Sequence, residues 1–379
     1  MKNTNKILRF MLVALFAVVT LSCSTSSDNT EIIVPKSTIL DIAKSNPDLS
    51  SLVLALKASG LDVPGTSPLA SAGSYTVFAP VNSAFDTYTS VNFPTGATAS
   101  VLIGINTAIA ASQAFPPVPL TPAINSQTAE LKKLLQNHIL GVATKANDLL
   151  AAGYSKTFAS GAGTGTFLSM FVNQASSGNV LVNGGKTNGG ATVTTADVLA
   201  NNGVIHIVDS TINLPTLVNH VTANPAFSTL LSIVTSTSGT FGNQAPVVLA
   251  VLSGATSLAP KTIFAPNNDA FTAATGSTGF LTAAYIATAG NVTKVLQYHV
   301  SSSNSNLTSS SATSWTPATA TVPFVFNTLA PTAQTFSIAN GTVKITSAFA
   351  GAPVSNIKIV NVQAVNGVIH AVDNVLQPN

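Results

Sequence analysis

The octet NGVIHIVD at residues 202–209 returns as NGVIHAVD at 366–373, with one letter changed. A chain that writes the same eight residues twice is restricted to folds assembled from two like units. Three more landmarks recur in the same order. Asn46-Pro47-Asp48-Leu49 opens a helical pattern with Leu49, Leu52, Val53 and Leu56 at i, i+3, i+4, i+7, and Asn224-Pro225-Ala226-Phe227 opens another with Phe227, Leu230, Leu231 and Val234. Proline sits at each start, where its missing N–H costs nothing. TVFAPVNSAF (76–85) and TIFAPNNDAF (262–271) each read as a short strand stopped by Ala-Pro, followed by an Asn able to cap a helix. LKKLLQNHI (131–139) and VTKVLQYHV (292–300) follow.

The copies differ most between the second and third landmarks. Phe78 and Phe264 lie 186 positions apart and His138 and His299 only 161, so copy one holds 25 more residues there. The insertion, about 105–127, contains AFPPVPLTPA, whose prolines favour extended, loop-like backbone. It is either a copy-specific functional loop or a tolerated insertion with no role. In the second half of copy two, TVPFVFN, QTFSIANGTVKITSAF and NIKIVNVQAVNGVIHAVD alternate like consecutive antiparallel strands, with Asn340-Gly341 as a hairpin turn.

Four of the five histidines belong to the repeat. His138 and His299 end apolar stripes at helical spacing and are expected to face the core. His206 and His370 lie in runs apolar on both faces, as in a buried strand. A buried neutral imidazole needs partners for both nitrogens, which a backbone carbonyl or hydroxyl supplies. All four are expected to be structural core histidines; His220, with no counterpart, is expected on a helix surface. No Cys cluster or HExxH supports zinc, so neither a metal nor any other cofactor is expected. GxSxG, Walker and strand-borne GxGxxG motifs are missing, and GAGTGT (161–166) reads as a loop. Asp209 and Asp373 recur once per copy, which fits a turn cap better than a general acid/base pair. No catalytic residue is assigned, and the protein is expected not to be an enzyme.

Only 7% of the 379 residues are charged and 46% are hydrophobic, so Ser, Thr, Asn and Ala must fill a neutral, hydroxyl-rich surface. A formal charge of +3 over this length makes no basic stripe and argues against nucleic acid. The start is different in kind. Lys2, Lys6 and Arg9 precede an apolar run to Leu21 that is short for a membrane span, and the run ends at the sole cysteine, Cys23. VTLSCS resembles a bacterial lipoprotein signal, which makes Cys23 the lipid attachment site; the alternative is an ordinary secretory signal. Residues 1–22 are then a signal peptide and 23–35 a polar tether.

The repeated landmarks resemble the fasciclin domain, a module of cell-surface and matrix proteins. TVFAPVNSAF and TIFAPNNDAF are similar to its first signature, and NGVIHIVDSTI and NGVIHAVDNVL to its last. LQYHV keeps the family's Tyr-His motif as Tyr298-His299, where copy one has Asn137. The resemblance implies an α+β fold of two tandem fasciclin-like domains, 36–214 and 215–379, each a small β-sheet wedge with a cluster of helices. It also implies adhesion to matrix proteins, receptors or polysaccharide. Two motifs assigned to receptor contact map onto Asn147, Asp148 and Leu149 in copy one and onto Tyr298 in copy two. SSSNSNLTSS replaces the Asp motif in copy two. The expectation is a lipid-anchored envelope protein, at the outer membrane on its periplasmic or surface face, binding an envelope or matrix protein or polysaccharide without catalysis. The alternatives are a polysaccharide-processing accessory factor and an envelope scaffold.

Overall fold

In a computed structural model, residues 35–63, 67–92, 103–104, 107–108, 110–111, 121–236, 246–254, 260–288, 290–301, 324–330, 333–339, 342–346 and 351–378 are described. The signal, Cys23, the tether up to residue 34, most of the proline-rich insertion, SSSNSNLTSS from 302 onward and the Asn340-Gly341 turn lie outside them.

Repeat one begins with helix α1 (Ile39–Ser45), a 3-10 turn (Pro47–Leu49) and α2 (Ser50–Ala58). Strand β1 (Tyr75–Pro80), α3 (Asn82–Asn92), α4 (Pro122–Asn137), β2 (Ile139–Leu140) and α5 (Ala146–Ala152) follow. Its second half is β3 (Tyr154–Ser160), β4 (Phe167–Gln174), β5 (Val180–Val182), β6 (Ala191–Ala200) and β7 (Gly203–Val208). Repeat two retells this as α6 (Leu217–Ala223), a 3-10 turn (Pro225–Phe227), α7 (Ser228–Thr235), α8 (Pro246–Ser253), β8 (Lys261–Pro266), α9 (Asn268–Thr275), α10 (Ala283–Ala287) and α11 (Asn291–Tyr298). It ends with β9 (Phe324–Asn327), β10 (Ala333–Ala339), β11 (Thr342–Thr346), β12 (Ser355–Ala364) and β13 (Gly367–Val372).

Helices α1 and α6 start before the Asn-Pro landmarks, so the connection between the repeats ends at Thr216, where α6 begins. The end of the proline-rich insertion is likewise the first turn of α4. Thr121 caps it through the Ile124 amide at 3.3 Å, and Pro122 occupies the position where a proline's fixed φ suits a helix start.

Each repeat pairs its signature strands in the same unusual way. β1 runs parallel to β7 with Phe78 opposite His206, and β8 runs parallel to β13 with Phe264 opposite His370. Every other ladder is antiparallel, including the consecutive strands β9 to β13. In repeat one the strands close into a ring, β1 through β7 and back to β1. In repeat two the order is β8-β13-β12-β11-β10-β9, and single bridges Ile263–Val300 and Ser301–Thr328 lead from β8 back toward β9.

The core of each repeat has two parts. Helices pack on one side of the strands through residues such as Leu52, Leu56, Phe85, Leu131 and Leu135 in repeat one, and Phe227, Leu230, Val295 and Leu296 in repeat two. A smaller cluster fills the space among the strands, with Phe78, Met170 and Val208 in one repeat and Phe264, Tyr298 and Val372 in the other.

Candidate functional site

The recurrent groups with chemical potential are the histidines. His138 follows α4 and is 2% exposed. Its Nδ1 donates to the Leu134 carbonyl at 2.8 Å, and its Nε2 accepts the Ile212 amide at 2.9 Å. His299 repeats this with Val295 at 2.7 Å and Leu376 at 2.8 Å. Each ring thus ties the end of a helix to the segment after the last strand. Burial pushes both pKa values from 6.5 down to about 4, outweighing the stabilising carbonyl. A neutral ring with both nitrogens engaged has no proton site left to offer a substrate.

His206 and His370 are sealed between strands. His206 Nε2 donates to the Thr144 carbonyl at 3.1 Å and Nδ1 receives the Asp197 amide at 3.3 Å; His370 Nδ1 receives the Asn361 amide at 3.4 Å. Asp197 and Asn361 occupy matching bulges in β6 and β12 with φ of 60° and 59°. The bulge turns an otherwise unpaired amide inward, and the imidazole accepts it. The Asp197 carboxylate lies 3.9 Å from His206 and also accepts the Ala146 amide at the start of α5.

The rest of the octet is equally committed. Asn202 accepts the Ile39 amide at 2.8 Å and donates to the carbonyls of Leu69 and Ser71, fixing the start of α1. Asn366 does the same for α6 through Leu217 at 2.9 Å and Leu252 at 3.1 Å. At Gly203 and Gly367 a β-carbon would sit inside the carbonyls of Tyr75 and Lys261 on the parallel neighbour. Asp209 and Asp373 are cross-strand clamps rather than turn caps, accepting the amides of Thr192 and Asn356 at 2.7 Å. Burial alone would raise the Asp373 carboxyl. The Asn356 bonds and Lys358 at 3.1 Å outweigh that and hold it below the usual range.

The candidate contact residues divide. Asn147 and Asp148 are exposed in the first turn of α5, with Asp148 bonded there through its own amide to the Lys145 carbonyl. Leu149 is buried in the strand-side core, and Tyr298 is 0% exposed. Neither can touch a partner while the repeat is folded, which removes them as contact residues. Asn137, in the Tyr298 position, is buried too and donates to the Ile212 and Asn213 carbonyls.

The expectation for His220 is corrected. It is wholly buried, because α6 lies against repeat one and not toward solvent. Its Nε2 donates to the Gln363 carbonyl at 3.1 Å, and its ring is 5.8 Å from that of Tyr154. Its Nδ1 has no partner, and burial pushes its pKa to about 4. Tyr154, whose hydroxyl pKa burial raises, accepts the Asn224 amide at 3.4 Å. Gln363 donates its amide to Ser169 at 2.9 Å, and Asn188 and Asn219 exchange bonds at 2.8 and 3.0 Å. Strands β3 and β4 and the Lys186–Asn188 turn therefore meet α6 and β12 in a hydrogen-bonded seam between repeats.

Along that seam runs a groove of about 280 Å³, walled by Lys156, Thr166 and Phe167 from repeat one and Val360, Asn361 and Gln363 from repeat two. Phe167 and Val360 stay 38% and 47% exposed at its mouth. The Lys156 ammonium stands 5.4 Å from the Phe167 ring centroid. None of these residues belongs to a repeated motif, so sequence inspection passed over them. The available signal was an apolar residue at each of two outward strand positions. Among the described residues no three of His, Cys, Asp and Glu gather, and no helix is long and apolar enough to cross a membrane.

What these features define is a class: a paired α+β scaffold whose recurrent histidines, asparagines and aspartates hold it together. The fasciclin domain profile matches residues 106–215 and 225–378, most of the chain, and the chain belongs to the fasciclin domain family, whose members are adhesion and binding modules and generally non-catalytic. The structure carries repeat one back to α1, ahead of that match, through the Asn202 bond to Ile39. Among solved structures it is similar to the FAS1 domain pair of the insect cell adhesion molecule Fasciclin I, at 17% identity and TM-score 0.43, covering 80% of this chain and 88% of that one. No curated protein matches the chain.

Proposed function

We propose that this protein is a lipid-anchored adhesion protein of a bacterial envelope, in which two fasciclin repeats act as one docked pair to hold a protein or polysaccharide partner. The observation that carries it is that the four paired histidines, Asn202, Asn366, Asp209 and Asp373 are all engaged in structural bonds. That leaves function to the outer surface. Cys23, after the apolar run, supplies the anchor in this reading, and acyl chains contribute about 0.8 kcal/mol per buried CH₂. An array of such pairs on one membrane raises effective concentration, so weak single contacts suffice.

The test has two arms. Palmitate labelling is expected in the wild type and lost in Cys23→Ala; an unlipidated, freely secreted wild-type product sinks the anchor. Adhesion of anchored protein to envelope material is expected to change less than about twofold between low and physiological salt, since few charges are available to screen. A collapse of binding over that range contradicts a neutral contact surface.

A further inference from the structure

We propose that the groove between the two repeats is a carbohydrate-contact site, with Phe167 and Val360 as its apolar platform and Lys156 positioned for an acidic substituent; this rests on the adhesion reading above. The groove is composite, so it exists only when the repeats are docked. Its chemistry selects the ligand class. Sugars present a C–H face that packs on an aromatic ring and a rim of hydroxyls that side-chain amides and hydroxyls can pair. Phe167 offers the ring and Ser155 and Asn361 polar side chains beside it, while Thr166 and Gln363 form the fixed wall behind them.

The lining is also pre-formed, which lowers the cost of ordering it on binding. Thr166 is locked to Gly163 by bonds of 2.6 and 3.0 Å, and Gln363 is buried with its amide on Ser169. Asn361 is held in the left-handed region by its bulge. Its counterpart in repeat one is Asp197, so repeat two places a neutral amide where repeat one has a carboxylate. No carboxylate lines the groove, and Lys156 is its only charge. That composition suits a neutral or uronate-bearing glycan. Nucleic acid would call for several cations.

The experiment titrates the purified full chain with a panel of plain hexasaccharides, gluco-, manno- and galacto-configured, each in neutral and uronate form. At least one should bind. Phe167→Ala should weaken it tenfold or more, and Lys156→Gln should weaken uronate forms at least threefold while changing neutral ones less than twofold. Leu199→Ala, on the outer face of β6, serves as the remote control and should change nothing, and thermal melts confirm that each variant is folded. Binding that survives both Phe167→Ala and Val360→Ala overturns the site. If no hexasaccharide binds while envelope adhesion persists, the groove proposal fails and the adhesion reading stands. If adhesion is missing too, both fail.

Discussion

At the residue scale, neutral amides and imidazoles do in this chain what charges do elsewhere. Among the described residues the ion pairs include Lys358–Asp373 and the long His206–Asp197 contact. Cross-links between distant elements run instead through Asn202, Asn366, His138 and His299. This makes stability depend on the histidines staying neutral. Folded pKa values of about 4 lie below the ordinary 6.5, so the unfolded chain takes up protons first as acidity rises. The stabilisation is complete above about pH 6.5 and drains away as pH falls toward 4. At pH 5 each such histidine should cost roughly 2 kcal/mol. Urea midpoints at pH 7 and pH 5 check this: His138→Leu should be weaker than wild type at pH 7 yet lose about that much less on acidification. Equal losses in both proteins would contradict a protonation-linked role. Burial of the four paired rings was legible from the sequence, since the helical stripe and doubly apolar strand point inward; that of His220 was not. Their partners were not, because a carbonyl or amide acceptor leaves no mark in side-chain identity.

At the element scale, the recurring octet is a set of joints. Val and Ile fill the core, Asn holds the first helix, His receives a bulge amide, Asp clamps the neighbouring strand and Gly permits the close parallel approach. Gly203→Ala and Gly367→Ala should therefore each cost more than about 3 kcal/mol, by forcing apart a parallel pair that cannot shift without breaking its ladder. Thermal denaturation measures it, and a melting point within a few degrees of wild type would show that the strands can yield. The signature strands and the late strands of copy two were readable from alternation, whereas the parallel pairing of the signature strands was not. Helices α1 and α6 were missed, being seven residues long and too brief for a periodic signal. The overlooked clues were the boxes at their starts, Thr38 with Asp41 and Thr216 with Asn219, each returning a side-chain oxygen to the Thr amide at 3.0 and 2.8 Å.

At the scale of the whole molecule, the two modules are docked, with α6 and β12 against β3 and β4. Sequence patterning placed the repeats but could not place this seam, since burial against a sister domain and burial in a domain's own core ask for the same residue types. His220 illustrates it: repeat one has Ile42 at the matching position, and only docking explains a fully buried imidazole there. The wild type should unfold in a single transition. Tyr154→Ala, which removes the ring set against His220 and the Asn224 contact, should lose about 3 kcal/mol and separate the melt into two steps. Calorimetry reads both, and two steps already in the wild type would mean that the seam transmits little.

The strand circle of repeat one has a bearing on crowding. Open sheets expose a fringe of amides and carbonyls onto which a neighbour's strand can zip, and proteins with weakly charged skins have little repulsion to prevent it. A closed circuit has no fringe. If the proposed anchor holds such molecules on a bilayer, sparsely charged as they are, they could be packed side by side at high density without repeat one seeding fibres.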